Sequence, residues 1–425
     1  MYQLHKLRWQ EKAILVGVKL PQVNRFAAED SLAELSLLAK TAGAEVLESI
    51  IQDRKKIDAG LFIGKGKVEQ IKQLCLDRGA NLVIFDDDLS PGQIFNLEKI
   101  LDLKVIDRSC LVLDIFAKRA KTAEAKIQVE LAQLQYLLPR LTRGWLHLSR
   151  QWGGIGTKGP GETQLEVDRR VIKKKIGDLK GKLVKIDKER QTQRKKREDF
   201  FKVALVGYTN VGKSTLFNQL TKATVPVEEK LFSTLDSFTR ILRFSRNHNI
   251  LLTDTVGFIR KLPHHLVASF RSTLDEVKLA DLLLHIVDIS HPNFPQQMEK
   301  VSQILKELDC SSKPTLLVFN KIDKLKGDLP LGLCPSYENE PIFISAEKGI
   351  GLANLIASLE LFMDEQSCEA EVFLKKEDLN LLPSFYKLGI VTQTEMKDEG
   401  LNLKIRAKKW NLEKLKGLAN GEDFA

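Results

Sequence analysis

Residues 203–221 read V-A-L-V-G-Y-T-N-V-G-K-S-T-L-F-N-Q-L-T, and this stretch decides the fold. Four consecutive apolar residues predict a strand buried on both faces, the kind found in parallel sheets covered by helices. Leu216, Phe217 and Leu220 then recur at helical spacing, so a helix follows the loop. Between the two lies Gly207-Tyr208-Thr209-Asn210-Val211-Gly212-Lys213-Ser214, with Thr215 next. It fits G-x-x-x-x-G-K-[ST] in the strand-loop-helix setting that gives the pattern its meaning. The glycines let backbone N–H groups converge on phosphate at a helix N-terminus, Lys213 reaches the outer phosphate oxygens, and the Ser214 hydroxyl can ligate Mg²⁺.

Three further elements follow in order, each on a strand end. Asp254-Thr255-Val256-Gly257 comes after the apolar run I-L-L-T, where an aspartate holds the metal through water and a glycine N–H meets the γ-phosphate. Asn320-Lys321-Ile322-Asp323 follows T-L-L-V-F. A carboxylate there accepts from both N1–H and N2–H₂ of guanine, and adenine has no such donor pair. Asn320 bonds to the base or braces the neighbouring loop, and the Lys321 stem covers the base face. Ser345-Ala346-Glu347, after P-I-F-I, completes the base pocket with a backbone N–H for the guanine O6. GTP is the expected nucleotide, ATP the weaker alternative.

A loop threonine is needed to complete the Mg²⁺ shell, and Phe232-Ser233-Thr234-Leu235-Asp236 supplies Thr234, with Thr239 as competitor. The expected metal donors are thus Ser214, Thr234 and Asp254, and the expected catalytic positions Lys213, Thr234 and Gly257. Phe258 stands where many GTPases carry the glutamine that orients the attacking water, and an aromatic ring cannot do that. A partner, a cation or a repositioned group is therefore required. Asn210 resembles the asparagine that helps hold K⁺ in some GTPases with this replacement, which points to K⁺ stimulation.

Working outward, 12–109 alternates short apolar runs with helical patterns and predicts a small α/β unit with a largely parallel sheet. Gly64-Lys65-Gly66-Lys67 within it lacks the full phosphate-loop spacing and reads as a plain turn. Ile127, Leu131, Leu134, Leu138, Leu141 and then Ile172, Ile176, Leu179, Leu183, Ile186 step by four and three, two seams of an antiparallel helical hairpin. Its tip carries Gly153, Gly154, Gly156, Gly159, Pro160 and Gly161, which no helix accommodates. After Lys202 come βαβ units to about Met363, then strand, helix, strand and strand signals. The expected architecture is α/β: an N-terminal α/β domain (1–110), the hairpin (111–200), a P-loop NTPase domain (201–366) and a small C-terminal α+β domain (367–425).

The chain has 425 residues with 66 Lys/Arg against 56 Asp/Glu, a poor match to an enzyme of neutral small molecules. Fifteen basic and five acidic residues lie between Arg169 and Lys202, leaving 51 of each sign elsewhere. The entire excess of ten sits in one stretch. A helix sleeved by Lys173, Lys174, Lys175, Lys180, Lys182 and Lys185, beside a tip with Arg143, Trp145, Arg150, Trp152 and Lys158, offers phosphate contacts and stacking surfaces for RNA. Cys75, Cys110, Cys310, Cys334 and Cys368 are scattered, as reduced thiols are. The histidines show no ligand spacing, so no metal beyond Mg²⁺ is expected. No window approaches the roughly 20 apolar residues of a membrane span.

The run G-G-I-G-T-K-G-P-G-E-T-Q-L-E with Asp168-Arg169-Arg170, followed by G-Y-T-N-V-G-K-S-T-L-F-N, F-S-T-L-D and D-T-V-G-F, resembles the HflX family of translational GTPases over nearly the whole chain. The resemblance implies an N-terminal α/β domain, a helical linker and a GTPase domain. It also implies a protein that binds the large ribosomal subunit and is stimulated by ribosomes; a cytoplasmic monomer acting on rRNA and not on DNA is expected. Splitting or rescue of stalled ribosomes under stress would be its task. The alternative is an RNA-binding or ATP-dependent RNA-remodelling protein with a regulatory GTPase domain. Two places depart from the family pattern: L-D-S-F-T-R at 235–240 lacks a second expected threonine or proline, and the N-terminal unit carries no strong nucleotide motif.

Overall fold

The computed structural model describes residues 11–141, 164–195, 200–223, 231–232, 237–243, 249–261, 271–325, 340–365, 367–397, 399–408, 412 and 415. The first sheet is wholly parallel, in the order β2-β1-β3-β4, from β1 (Lys12–Lys19), β2 (Glu45–Asp53), β3 (Leu82–Phe85) and β4 (Lys104–Asp107). Residues 13–16 and 82–85 are buried throughout, because α1 (Arg25–Ala42), α2 (Lys65–Arg78), α3 (Pro91–Leu101) and α4 (Arg108–Arg119) cover both faces. α1 is bounded by local chemistry. The Asn24 side chain accepts from the Phe26 N–H, and Gly43 stops the helix at φ 97°. Gly64 is simply the cap residue of α2, as a plain turn requires.

The first core continues beyond residue 110, through α4 and one face of α5 (Ala123–Leu137). α5 has two apolar stripes. Ala125, Val129, Ala132 and Tyr136 face the first sheet's helices, whereas Ile127, Leu131 and Leu134 meet Ile172, Ile176, Leu179 and Leu183 of α6 (Gln164–Lys195). Three of the five residues anticipated on the first seam and four of the five on the second meet in this cluster, which leaves out Leu138, Leu141 and Ile186. Pairing of Lys175 with Glu130, and donation from Arg169 Nη2 to the Leu141 carbonyl at 2.9 Å, fix the antiparallel direction. At 1.5 Å per residue, the 32 residues of α6 extend about 48 Å.

The second sheet has the order β10-β9-β8-β5-β7-β6. Its strands are β5 (Phe201–Gly207), β6 (Phe238–Arg243), β7 (Asn249–Asp254), β8 (Leu282–Asp288), β9 (Thr315–Asn320) and β10 (Ile342–Phe343). All pairs are parallel except β6 with β7. The helices α7 (Lys213–Thr221), α8 (Arg271–Leu279), α9 (Phe294–Glu307) and α10 (Leu352–Glu365) enclose it. An antiparallel sheet in the order β11-β13-β12 closes the chain, from β11 (Ser367–Lys375), β12 (Ile390–Lys397) and β13 (Gly400–Lys408), with α11 (Leu382–Leu388) burying Phe385 against it. Among the described residues no helix is long and apolar enough to cross a membrane, and Cys75, Cys110, Cys310 and Cys368 are free thiols.

Candidate functional site

β5 brings Gly207 to the carboxyl end of the parallel strands, the edge at which open α/β sheets bind ligands. The loop that follows turns on positive φ angles: 153° at Gly207, 60° at Asn210 and 95° at Gly212. A Cβ on Gly207 would sit 2.3 Å from the Ile286 carbonyl oxygen, and one on Gly212 2.3 Å from Asn320 Nδ2. Both positions therefore require glycine on two grounds, conformation and space.

Lys213 opens α7 and is only 6 % exposed, and its ammonium donates to the carbonyls of Gly207 (3.1 Å) and Tyr208 (2.6 Å). Burial pushes its pKa from 10.5 down to about 8; Asp254 opposes that shift and Lys321 adds to it. A buried ammonium whose hydrogen-bond acceptors among the described residues are neutral carbonyls is short of negative charge, which an arriving phosphate supplies. Behind it on β8, burial and then the charge of Lys213 push His285 down to about 4, so this histidine stays neutral.

The Ser214 hydroxyl donates to Asp254 Oδ2 at 2.6 Å. A hydroxyl and a buried carboxylate side by side at a phosphate loop are hard oxygen donors of the kind Mg²⁺ takes, so these two residues fit the ion. Thr255 next to Asp254 is committed elsewhere, its hydroxyl donating to the Leu205 carbonyl. Gly257 lies against the loop so closely that a Cβ would come within 2.8 Å of Thr209 Cα and 2.9 Å of Lys213 Nζ. Phe258 is bridged to the loop through its backbone, with Thr209 N–H donating to its carbonyl (2.8 Å) and its own N–H to Gly207 (3.1 Å). Its ring is 2 % exposed and packs with Val206, Val277, Leu283 and Val301. The ring is thus a core residue as well as an impossible water-orienting group.

At the base end, Asn320 is a brace, the second of the two roles open from sequence. Its Nδ2 donates to the Val211 carbonyl (2.7 Å) and its Oδ1 accepts from the Ala346 N–H (2.9 Å). Lys321, at φ 65°, donates to the Asn210 carbonyl (2.7 Å) and pairs with Asp288 (2.6 Å). Asp323 is half-exposed, and a hydrogen bond from the Ser345 hydroxyl holds its carboxyl below the usual range. Ile322 packs beside Phe319, and Glu347 is exposed. The four motifs read from sequence therefore converge on one strand edge, around a basic loop at one end and a carboxylate at the other.

Several expected residues stand elsewhere. The ring of Phe232 joins an apolar cluster that also holds Val256 and Ile259 on either side of Gly257. Phe232 is buried against α4, its ring 4.6 Å from that of Phe116 at 79°, because an aromatic residue on a polar loop gains more from the nearest apolar surface than from a phosphate. Thr239 lies on β6, its hydroxyl bonded to that of Thr253 at 3.0 Å, which removes it as the loop threonine. Ser233, Thr234, Leu235 and Asp236 lie outside the described residues, as do Arg143, Arg150 and Lys158. On α6, Lys173 and Lys174 are exposed, and Lys175 turns toward Glu130 of α5. A surface pair of that kind is worth about 0–1 kcal/mol.

What sequence reasoning missed is the N-terminal unit's approach to this edge. The Tyr208 hydroxyl donates to Glu34 of α1 and accepts from the Arg260 N–H at 2.7 Å. Arg108, fully buried at the start of α4, pairs with Glu34 and with Asp86, each at 2.6 Å, and donates to the Arg260 carbonyl at 3.2 Å. Arg260 and Lys261 in turn pair with Asp30 (2.8 Å) and Asp86 (2.6 Å). The signal was faint: the acidic run Asp86-Asp87-Asp88 at the end of β3 and the arginine directly after β4.

Comparison with known proteins places these observations. Residues 29–117 match the family model described as GTP-binding GTPase N-terminal, 119–197 the GTP-binding GTPase Middle Region, and 202–321 the 50S ribosome-binding GTPase. The GTPase HflX of Caldanaerobacter subterraneus subsp. tengcongensis is 45 % identical over 403 residues, 93 % of this chain and 91 % of that protein. The GTPase HflX of Flavobacterium psychrophilum is 51 % identical over 316 residues, 74 % and 76 % of the two. Among solved structures, a GTP-binding protein from the hyperthermophilic archaeon Sulfolobus solfataricus in complex with GDP is 27 % identical, with a TM-score of 0.44 over 83 % of this chain and 98 % of that one. With a phosphate loop, a metal-type aspartate and a guanine-type carboxylate on one strand edge, and relatives this similar along nearly its full length, the chain belongs to the HflX family of GTPases, enzymes that hydrolyse GTP.

Proposed function

We propose that this GTPase is a molecular switch that docks on the large ribosomal subunit in its GTP form, works there in the splitting or rescue of stalled ribosomes under stress, and leaves after hydrolysis. Its place of work is the cytoplasm, as a monomer on rRNA. The observation that carries the docking surface is α6. Among the described residues α5 and the turn after it cover the apolar seam, leaving Lys173 and Lys174 in solvent on a helix of 32 residues. A face so unbalanced in sign is suited to phosphates. Arg143, Arg150 and Lys158, which precede this helix in the sequence, add further positive charge to the stretch. The family model described as 50S ribosome-binding GTPase supports the choice of subunit.

In this reading residues 207–215 cradle the phosphates, Lys213 neutralises the β and γ oxygens, and the Gly257 N–H meets the γ-phosphate. Asp323, Lys321 and the Ser345-Ala346-Glu347 loop take the guanine. Ser214, Asp254 and Thr234 would hold Mg²⁺, which when bound neutralises charge developing between the β- and γ-phosphates. With Phe258 buried, the chain supplies no group at that position to orient water, so ribosome contact completes the site.

Isolated subunits test this. GTP turnover is expected to rise at least tenfold with large subunits and to stay basal with small ones. Cosedimentation should favour a non-hydrolysable GTP analogue over GDP. Changing Lys173, Lys174 and Lys175 together to Gln should weaken binding and flatten its salt dependence, by about 0.7–0.9 in log–log slope per lost phosphate contact. Equal association with both nucleotides would sink the switch and favour an RNA-binding scaffold.

K⁺ is proposed as a second aid to hydrolysis, through Asn210 at the loop's exposed turn. Basal turnover should be severalfold higher in KCl than in NaCl at matched ionic strength. Equal rates would eliminate this role.

A further inference from the structure

Both backbone groups of Arg260 are held by side chains, one from Tyr208 of the phosphate loop and one from Arg108 of the N-terminal unit. Its N–H donates to the Tyr208 hydroxyl at 2.7 Å, and its carbonyl accepts from Arg108 Nη1 at 3.2 Å. Glu34 of α1 joins the two, accepting from Tyr208 through one carboxylate oxygen and from Arg108 through the other. Burial raises the Tyr208 pKa, and the Glu34 carboxylate raises it further, so the phenol keeps its proton and remains a donor. Arg108 keeps its charge: burial opposes it, and the carboxylates of Asp86 and Glu34 outweigh burial. The same chain segment, three residues upstream, is Gly257, pressed against Thr209 and Lys213.

We infer that Glu34 and Tyr208 are positioning residues for GTP hydrolysis. By fixing the backbone of Arg260 from both sides, they set where the Gly257 N–H stands relative to the phosphate loop. Gly257 cannot shift without pulling on Phe258, which the loop holds by two backbone hydrogen bonds, and on Arg260, which Tyr208 and Arg108 hold. A β-strand end followed by a free loop would let that N–H wander. Here α1 of the N-terminal unit pins it. The γ-phosphate is the only part of GTP absent from GDP, so pre-organising its contact raises selectivity for GTP and the rate of the step that cleaves it. Coupling of this kind is reciprocal, and occupancy by the γ-phosphate must in turn tighten the seat of α1. The inference rests on the reading of 207–214 and 254–257 as the phosphate site.

The test measures GDP affinity, affinity for a non-hydrolysable GTP analogue, and kcat in single turnover. For Glu34→Ala, the ratio of analogue to GDP affinity and kcat should each fall about tenfold, the order expected from misplacing one contact, with GDP affinity within twofold of wild type. Tyr208→Phe should lower the same ratio and kcat, and the double variant should be no worse than the more affected single one, since both act through one hydrogen-bonded chain. Glu34→Gln keeps an acceptor for the phenol but turns its NH₂ toward Arg108 and loses that ion pair, so it should recover only part of the loss. Retained GDP binding reports a folded site. An unchanged or increased ratio, or equal losses for GDP and the analogue, would overturn the inference. The phosphate-site reading fails separately, if Lys213→Ala binds GDP as tightly as wild type.

Discussion

The Lys213→Ala variant is expected to lose GTP hydrolysis by about 10²–10³ in kcat, the cost of deleting one charge-stabilising donor at a reacting centre, and to bind GDP and GTP far more weakly. The physical reason lies in where the ammonium sits. It is buried under the loop and donates to the carbonyls of Gly207 and Tyr208, so most of the cost of removing it from water is met before nucleotide arrives. Each charge-assisted hydrogen bond to a phosphate oxygen contributes about 1.5–3 kcal/mol. Two of them correspond to about 10²–10⁴ in affinity. The depressed pKa adds a signature that a neutral structural residue would not give. With its pKa near 8 in the free protein, Lys213 is largely neutral above that pH, whereas a bound phosphate favours the charged form and raises its pKa. Nucleotide binding between pH 8 and 9 should therefore take up protons, and affinity should fall as pH rises through that window. Calorimetry in two buffers of different ionisation enthalpy measures the uptake directly. Wild-type affinity in the alanine variant, or binding without proton uptake at pH 8.5, would show that Lys213 does not meet phosphate.

The parts of this site that were legible in the sequence share one property: they follow continuous apolar runs. Val203–Val206, Ile250–Thr253 and Leu316–Phe319 are buried as strands of one sheet, and the chemistry read from sequence lies immediately after each. Strand ends are local features, and so are the glycine loop and the capping residues. Helical seams were legible for the same reason, since Leu131, Leu134 and Leu179 meet as their spacing requires. Contacts between units were not. Glu34 is one acid among several on α1, and nothing within a dozen residues distinguishes it from a solvated charge. Only the approach of Tyr208 and of Arg108, one from the phosphate loop and one from the start of α4, gives it a role. Phe232 shows another contact between units. Its neighbours suggested a nucleotide loop, but its ring answers to Phe116, a residue that sequence order placed in another unit. The antiparallel pairing of β6 was equally hidden, because strand direction depends on how the connection between α7 and β6 runs, and not on the residues of β6.

Asp323→Asn tests the other end of the pocket and should change which base is accepted. The carboxylate is half-exposed and kept ionised by the Ser345 hydroxyl, so at neutral pH it presents two acceptor oxygens and no proton. Guanine offers N1–H and N2–H₂ on one edge, and the pair matches two donors with two acceptors. Asparagine keeps one acceptor but turns an NH₂ group toward the second donor. One charge-assisted bond disappears and two donors face each other. A site built around a hydrogen bond rejects an unmatched partner by far more than the value of the bond itself, since the groups left behind are desolvated and unpaired. GTP and GDP affinity should fall about 10²–10³-fold. Xanthine carries a carbonyl where guanine carries its amino group, so the same variant should prefer xanthosine nucleotides, with ATP a weak ligand throughout. Competition of the four nucleotides against a fluorescent GDP analogue reads all of this in one experiment. The phosphates serve as the internal control, because Lys213 and the loop are untouched: loss of GTP with gain of XTP locates the effect at the base. Unaltered GTP affinity would mean that the carboxylate after β9 faces no base, and the assignment of guanine specificity to Asp323 would have to be abandoned.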